Sequence, residues 1–199
     1  VADAKRVLAY LKGTKTYGLE YSPDLERKFS EVYSEIASRS QKKIGNTVGF
    51  SDADFAGCTI SFKSTSGCIL YHRGCPIVWS SKRQSIRALS TCESEYCALY
   101  DLVRITQNQG FLDWFQEQGT LPTMFCDNQS ALALANTTVT TKRSKHMELR
   151  LHMLRDVASD LCYVPTDINK ADGLTKVVPQ AKILQIYKTD PDDLPPVEC

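Results

Sequence analysis

Apolar side chains recur along this chain with two periods, and the places where the period changes mark its elements. Ala4, Val7, Leu8 and Leu11 are three or four residues apart, the spacing of one helical face, and Gly13 stands where such a helix stops. Thr16 to Tyr21 alternates as a strand does, and Ser22-Pro23-Asp24 then opens a second helix carrying Leu25, Phe29, Tyr33 and Ile36. The polar remainder of that helix predicts a peripheral position. Residues 38–46, rich in Ser, Lys and Gly, read as a linker and as the main domain boundary.

From Thr47 the period shortens. Thr47-Val48-Gly49-Phe50-Ser51-Asp52 has a strand pattern, and two apolar runs, Gly67 to Tyr71 and Pro76 to Ser80, are joined by a connection short enough for an antiparallel hairpin. Ser90-Thr91-Cys92-Glu93 is a capping box, in which Ser90 caps free N–H groups and Glu93 reaches back. The helix it starts carries Tyr96, Leu99, Val103, Phe111, Trp114 and Phe115 on one face, read as core, and stops at Gly119 and Pro122. Met124-Phe125-Cys126 predicts a strand leading into a helix from Ser130 to Ala135, with Asp127 at the strand end. A helix from about His146 to Asp160, a strand from Leu161 to Val164 and a short helix from Ala171 to Lys176 follow. The order βββαβαβα predicts an α/β fold with parallel pairing after the meander. The acidic, proline-rich residues 189–199 are expected to have no fixed structure.

Composition narrows the class without deciding it. With 199 residues, 42% hydrophobic and 24% charged, the chain is long enough for one core plus an appendage. Its 24 basic and 23 acidic residues nearly cancel, so any contact with nucleic acid must be local. The most basic stretch is Thr141-Lys142-Arg143-Ser144-Lys145-His146. Eight cysteines without a C-x-x-C pair argue against zinc and for free thiols in a reducing compartment, which predicts an intracellular protein. No apolar run approaches the roughly eighteen residues that span a bilayer, so no membrane partner is expected. The chain opens at Val1, without methionine, and reads as a segment of a longer polypeptide.

Asp52 ends the first predicted strand, Glu95 lies in the first turns of the long helix, Asp127 follows another strand and Asp172 sits in the last short helix. Taken singly, such residues form turns or complement helix dipoles. Together they suggest a site, because sites in open α/β sheets form beyond strand carboxyl ends, and clustered carboxylates call for hard divalent cations. Asp54 and Glu93 are near misses two residues away. The first strand is expected to end near Asp52, which removes Asp54, and the capping box uses Glu93.

Several motifs occur in an informative order. Lys5-Arg6-Val7-Leu8-Ala9-Tyr10-Leu11-Lys12-Gly13-Thr14 is followed by Gly49-Phe50-Ser51-Asp52-Ala53-Asp54-Phe55-Ala56-Gly57, Ser64-Thr65-Ser66-Gly67 and Trp79-Ser80-Ser81-Lys82-Arg83-Gln84. Glu93-Ser94-Glu95-Tyr96, Cys126-Asp127-Asn128-Gln129-Ser130-Ala131, Ser144-Lys145-His146 and Ala171-Asp172-Gly173-Leu174-Thr175-Lys176 complete the set. In this order they resemble the ribonuclease H region of copia-type retrotransposon Pol polyproteins.

The resemblance implies a ribonuclease H-like fold with a mixed five-stranded sheet over residues 47–188, preceded in 1–46 by the end of a polymerase connection region. It implies catalytic, metal-holding roles for Asp52, Glu95, Asp127 and Asp172, with two Mg2+ ions, or Mn2+ in their place. The implied reaction is two-metal hydrolysis of the RNA strand of an RNA–DNA hybrid. Asp52 would bridge both ions, Asp172 would help hold the one that activates water, and Glu95 and Asp127 the one at the departing 3′ oxygen. Asn128 and Gln129 are placed to read a 2′-hydroxyl, and Ser90 and Thr91 to hold a DNA phosphate. The polymerase domain is the expected partner, in the cytoplasm within a virus-like particle or in the nucleus. The alternative is a non-catalytic relic or domesticated fragment that only binds nucleic acid or protein; the insertion at residues 23–43 and Val177-Val178 favour it.

Overall fold

The computed structural model describes residues 2–15, 18–107, 122–136, 148–156 and 160–179. Helix α1 (Ala2–Gly13) leaves Val7, Leu8, Tyr10 and Leu11 exposed. Residues 18–22 are irregular, where alternation predicts a strand. A strand needs an edge to accept its ladder, and this segment instead reaches the sheet through a side chain, the Tyr21 hydroxyl donating to Pro76 O at 2.8 Å. Ser22 then caps α2 (Pro23–Arg39), accepting from Leu25 N, with proline at a first-turn position where no N–H is needed.

Strands β1 (Thr47–Asp54), β2 (Thr65–His72) and β3 (Cys75–Arg83) form the antiparallel meander. The β2–β3 turn is two residues long. Arg73 (φ 50°) and Gly74 (φ 75°) both take the left-handed conformation that matches strand twist in such turns. Gly74 also packs closely: a Cβ there would stand 2.8 Å from Glu26 Cα and 2.9 Å from Leu25 O, so the hairpin tip seats on the first turn of α2.

Helix α3 (Thr91–Thr106) crosses back and leads to β4 (Thr123–Cys126), followed by α4 (Gln129–Asn136), α5 (Glu148–Asp156) and β5 (Leu161–Tyr163). Two 3-10 turns, Thr166–Ile168 and Asp172–Leu174, close the described chain, the second standing where a short helix is expected. The sheet order is β3-β2-β1-β4-β5, with β4 parallel to both β1 and β5. This is the mixed five-stranded α/β sheet that the element order predicts. Phe111, Trp114 and Phe115, the basic stretch around Lys145 and the 189–199 tail lie outside the described residues.

Each face of the sheet is covered. On one, Tyr96, Leu99, Leu102 and Val103 of α3 pack with Ala131 and Ala135 of α4 and Leu154 of α5 over Cys68, Leu70, Met124 and Cys126. On the other, α2 supplies Phe29, Tyr33 and Ile36 against Val48, Phe50, Ile69, Tyr71 and Phe125. Phe29 stacks on Tyr71 at 5.0 Å and Phe50 on Phe125 at 5.2 Å. The expectation of a peripheral α2 is therefore corrected. Its apolar stripe is narrow but aromatic, and large rings bury enough area to hold an otherwise polar helix in the core. Residues 38–46 thus connect two elements of one packed unit, and the stretch read as an insertion is a structural layer.

Candidate metal centre

Parallel pairing of β1 with β4 sets Ser51 opposite Cys126, so Asp52 and Asp127 leave neighbouring strands at the same end of the sheet. Asp52 is 3% exposed and Asp127 half-buried. Strand β1 does not stop at Asp52 as expected; it runs to Asp54, because β2 pairs with it as far as Thr65. A different cause removes Asp54 from the cluster. Its carboxylate folds over the following turn, where a Cβ on Gly57 would lie 1.7 Å from Asp54 Oδ2.

Glu95 arrives from α3. Ser90 Oγ accepts from Glu93 N at 3.1 Å, and Glu93 Oε2 reaches back to Leu89 N at 2.7 Å, one residue before the cap. This reciprocal cap fixes the first turn and leaves Glu95 to accept a backbone bond from Ala53 beside Asp52. Ligand atoms of Glu95, Asp127 and the intervening Cys126 all lie within 4.8 Å of one another.

Asp172 is brought in by the last 3-10 turn, which is tied to the sheet at several points. Asn169 Nδ2 donates to Ser51 O at 2.9 Å, the buried Tyr33 hydroxyl donates to Ile168 O at 2.8 Å, and Thr175 Oγ1 donates to Asp52 Oδ2. Lys176 Nζ pairs with Asp172 Oδ1. The turn lies directly on Gly67 of β2, which pairs with Asp52. A Cβ there would stand 2.7 Å from Thr175 Cγ2 and 2.9 Å from Ala171 O.

Like charges at this density disfavour ionisation. Burial, and then the charges of Asp127 and Asp172, push Asp52 up to about 6 against the opposing Thr175 bond and Lys176 charge. Burial, and then Asp52 and Asp127, push Glu95 up to about 9, with the Ala53 N–H and Lys176 opposing. Glu95 Oε2 is buried with no hydrogen-bond partner, a lone pair without the donor that an interior carboxylate requires. Oxygen donors, shared negative charge and an orphaned oxygen fit a hard divalent cation. Cys126 does not belong to that donor set. Burial holds its thiol far above the ordinary range, and its sulfur accepts from Asn128 N at 3.4 Å.

A stability test follows from these shifts. Both carboxyls hold a proton more tightly in the folded chain than at their ordinary values of 3.8 and 4.5. The folded, metal-free chain therefore binds more protons than the unfolded one above that range, and its stability falls as pH rises towards 9. In chelator the melting temperature should drop between pH 5 and pH 8, and Mg2+ should recover it at pH 8 but not at pH 5. A melting temperature that is flat across this window, with or without Mg2+, counts against a coupled carboxylate site.

Of the uncharged residues singled out in the sequence, Asn128 and Gln129 follow Asp127 directly, and Ser90 and Thr91 stand at the start of the helix that carries Glu95. Asn128 caps α4, its Oδ1 accepting from Ala131 N at 2.9 Å, which leaves the amide donors for other partners. Gln129, Ser90 and Thr91 are exposed. Thr175, Lys176 and Asn169 were missed as site residues, although all three stand within three or four residues of Asp172. Gln84 was missed as well. It is buried at the end of β3, and its Nε2 donates to Ser66 Oγ at 3.0 Å and to Ser94 O at 2.9 Å, tying the first turn of α3 to β2. Gln84→Leu leaves these groups without their donor and should cost about 1–3 kcal/mol. Urea unfolding checks this; an unmoved midpoint would show that the tie contributes nothing.

The arrangement defines an α/β protein with a cluster of acidic side chains at the carboxyl ends of two parallel strands. By sequence the chain belongs with the retrovirus-related Pol polyproteins of plant transposons. It is 36% identical over 145 residues to the Pol polyprotein of transposon TNT 1-94 of Nicotiana tabacum, a match covering 67% of this chain and 10% of that protein. With the Pol polyprotein of transposon RE2 of Arabidopsis thaliana it is 32% identical over 183 residues, covering 86% of this chain and 11% of that one. The chain thus spans about a tenth of the length of these polyproteins. A third relative, secreted RxLR effector protein 161 of Plasmopara viticola, is 40% identical over 95 residues, covering 48% of this chain and 54% of the effector. Among solved structures, the N-terminal RNase H domain of rv2228c from Mycobacterium tuberculosis is similar, with a TM-score of 0.46 and 13% identity, covering 65% of this chain and 89% of that one. LC11-RNase H1 in complex with an RNA/DNA hybrid has a TM-score of 0.44 and 15% identity, covering 65% and 93%. No family model matches. Among the described residues, no helix is long and apolar enough to cross a membrane.

Proposed function

We propose that this chain is the ribonuclease H domain of a copia-type Pol polyprotein and hydrolyses the RNA strand of RNA–DNA hybrids. The observation that carries this reading is the convergence of Asp52, Glu95, Asp127 and Asp172 from four separate elements on one end of the sheet. Relatedness to Pol polyproteins supplies the context, and the polymerase domain of such a polyprotein is the expected neighbour.

Asp52, Glu95, Asp127 and Asp172 would hold two Mg2+ ions, or Mn2+. When bound, such ions lower the pKa of attacking water and stabilise charge on the departing 3′ oxygen. Asp52 occupies the central place, since the charges of both Asp127 and Asp172 act on it and Thr175 orients one of its oxygens. The free amide hydrogens of Asn128 and the exposed Gln129 suit a 2′-hydroxyl in a shallow minor groove. Ser90 Oγ accepts from Glu93 N and keeps its own proton, so it and Thr91 can donate to a phosphate at the start of α3.

The test is cleavage of a hybrid labelled on its RNA strand, with Mg2+ and with chelator, using Asp52→Asn as the blank. Metal-dependent cuts leaving 5′ phosphate and 3′ hydroxyl are expected. No cleavage above the blank would overturn the catalytic reading, and retained hybrid binding without cleavage would favour a non-catalytic module.

A further inference from the structure

One cation of the chain itself reaches into the carboxylate cluster. Lys176 lies one turn beyond Asp172, and its ammonium contacts Asp172 Oδ1, an oxygen that the proposed reaction assigns to a metal ion. The two partners differ in environment: Asp172 is almost fully enclosed, while 46% of the Lys176 side chain is exposed. A buried carboxylate is fixed, whereas a lysine on a four-carbon stem can withdraw to water at little cost. The charge of Lys176 extends past its direct partner, acting also on Asp52 and Glu95. A single ammonium thus offsets all four carboxyls of the site, Asp127 included, and makes a direct contact with one.

An ammonium and a divalent ion on the same carboxylate oxygen would stand within a few ångströms of each other and repel, so in this enclosed site the binding of one weakens the hold of the other. We propose that Lys176 is a built-in counter-cation of this site, bound to Asp172 in the metal-free chain and displaced when a divalent ion binds, so that it sets the metal affinity of the site. The proposal rests on the metal-site reading above. It explains how an enclosed acidic cluster stays folded before loading, and it makes metal binding a cation exchange rather than the filling of bare charge.

The test is calorimetric titration of the whole chain with Mn2+ at constant pH and without nucleic acid, comparing wild type, Lys176→Met, Lys176→Arg and Asp52→Asn. Lys176→Met removes the competitor and should bind Mn2+ roughly five- to tenfold more tightly, while Lys176→Arg stays near wild type. Equal or weaker binding by Lys176→Met, with wild-type binding abolished in Asp52→Asn, would overturn the proposal and leave the metal site standing. No binding by any form would overturn the metal-site reading, and the proposal with it. A second measurement needs no variant. In wild type, the side-chain ammonium NMR resonance of Lys176 should move to the position of a free lysine as Mg2+ saturates the site; an unmoved resonance at saturation would overturn the displacement.

Discussion

Asp52→Asn is expected to abolish cleavage of an RNA–DNA hybrid, by roughly a thousandfold or more, and at the same time to raise the melting temperature of the metal-free chain at pH 8. The two effects have one origin. Asp52 is enclosed between the charges of Asp127 and Asp172 and itself raises Glu95. Removing its charge relieves repulsion that a divalent ion otherwise neutralises. A gain of about 1 kcal/mol would appear as a rise of about 2–4 °C in a chain of this size, and the response of that temperature to Mg2+ should disappear. Thermal melts with and without Mg2+, run beside the cleavage assay, read both effects. A variant that loses activity and also melts lower in chelator would mean that Asp52 is a structural carboxylate, because a metal-holding one is a burden on the metal-free fold.

Gly67→Val is expected to be nearly as damaging, although glycine carries no chemistry. The Cβ would stand 2.7 Å from Thr175 Cγ2, 2.9 Å from the carbonyl of Ala171 and 3.0 Å from Leu174 Cβ. A backbone carbonyl in a tied turn cannot step aside as a side-chain tip can. The turn must lift, taking Asp172 away from the cluster and Thr175 away from Asp52. Misplacement by about 1 Å costs on the order of a hundredfold in rate, and overpacking adds about 1–3 kcal/mol of destabilisation. Gly49→Ala is the comparison: its Cβ meets the methyl ends of Leu102 and Leu70 at 3.0 Å and touches no part of the last turn. It should cost stability without moving the rate per folded molecule. If single-turnover cleavage by Gly67→Val matched wild type, the turn would not be what positions Asp172.

Much of this arrangement is legible in local patterns. The alternation through Thr47 to Asp52, the hairpin around Arg73-Gly74, the cap at Ser90 and the strand–acid–helix sequence at Asp127 each depend on residues a few positions apart. For that reason the element order and the strands that carry Asp52 and lead to Asp127 follow from sequence. The case of Asp54 differs. Its strand is longer than the pattern indicates, because β2 supplies ladder partners to the end, and only the fold of the Ala56-Gly57 turn takes its carboxylate away.

The amino-acid sequence by itself determined which acids stand in or just after a strand and in a helix's first turns, since periodicity and capping act within a turn or a pleat. The tertiary structure decided what those acids meet. The place of α2 as a core layer, the bond from Tyr33 to the turn before Asp172 and the tie of Gln84 between β2 and α3 join residues 135, 18 and 10 positions apart. The seat of the last turn on Gly67, and so the contacts of Thr175 and Lys176, likewise depends on strands that pair across the fold. No local pattern encodes such distances. They are set when the two faces of the sheet are covered and each buried polar group takes the partner that packing leaves within reach.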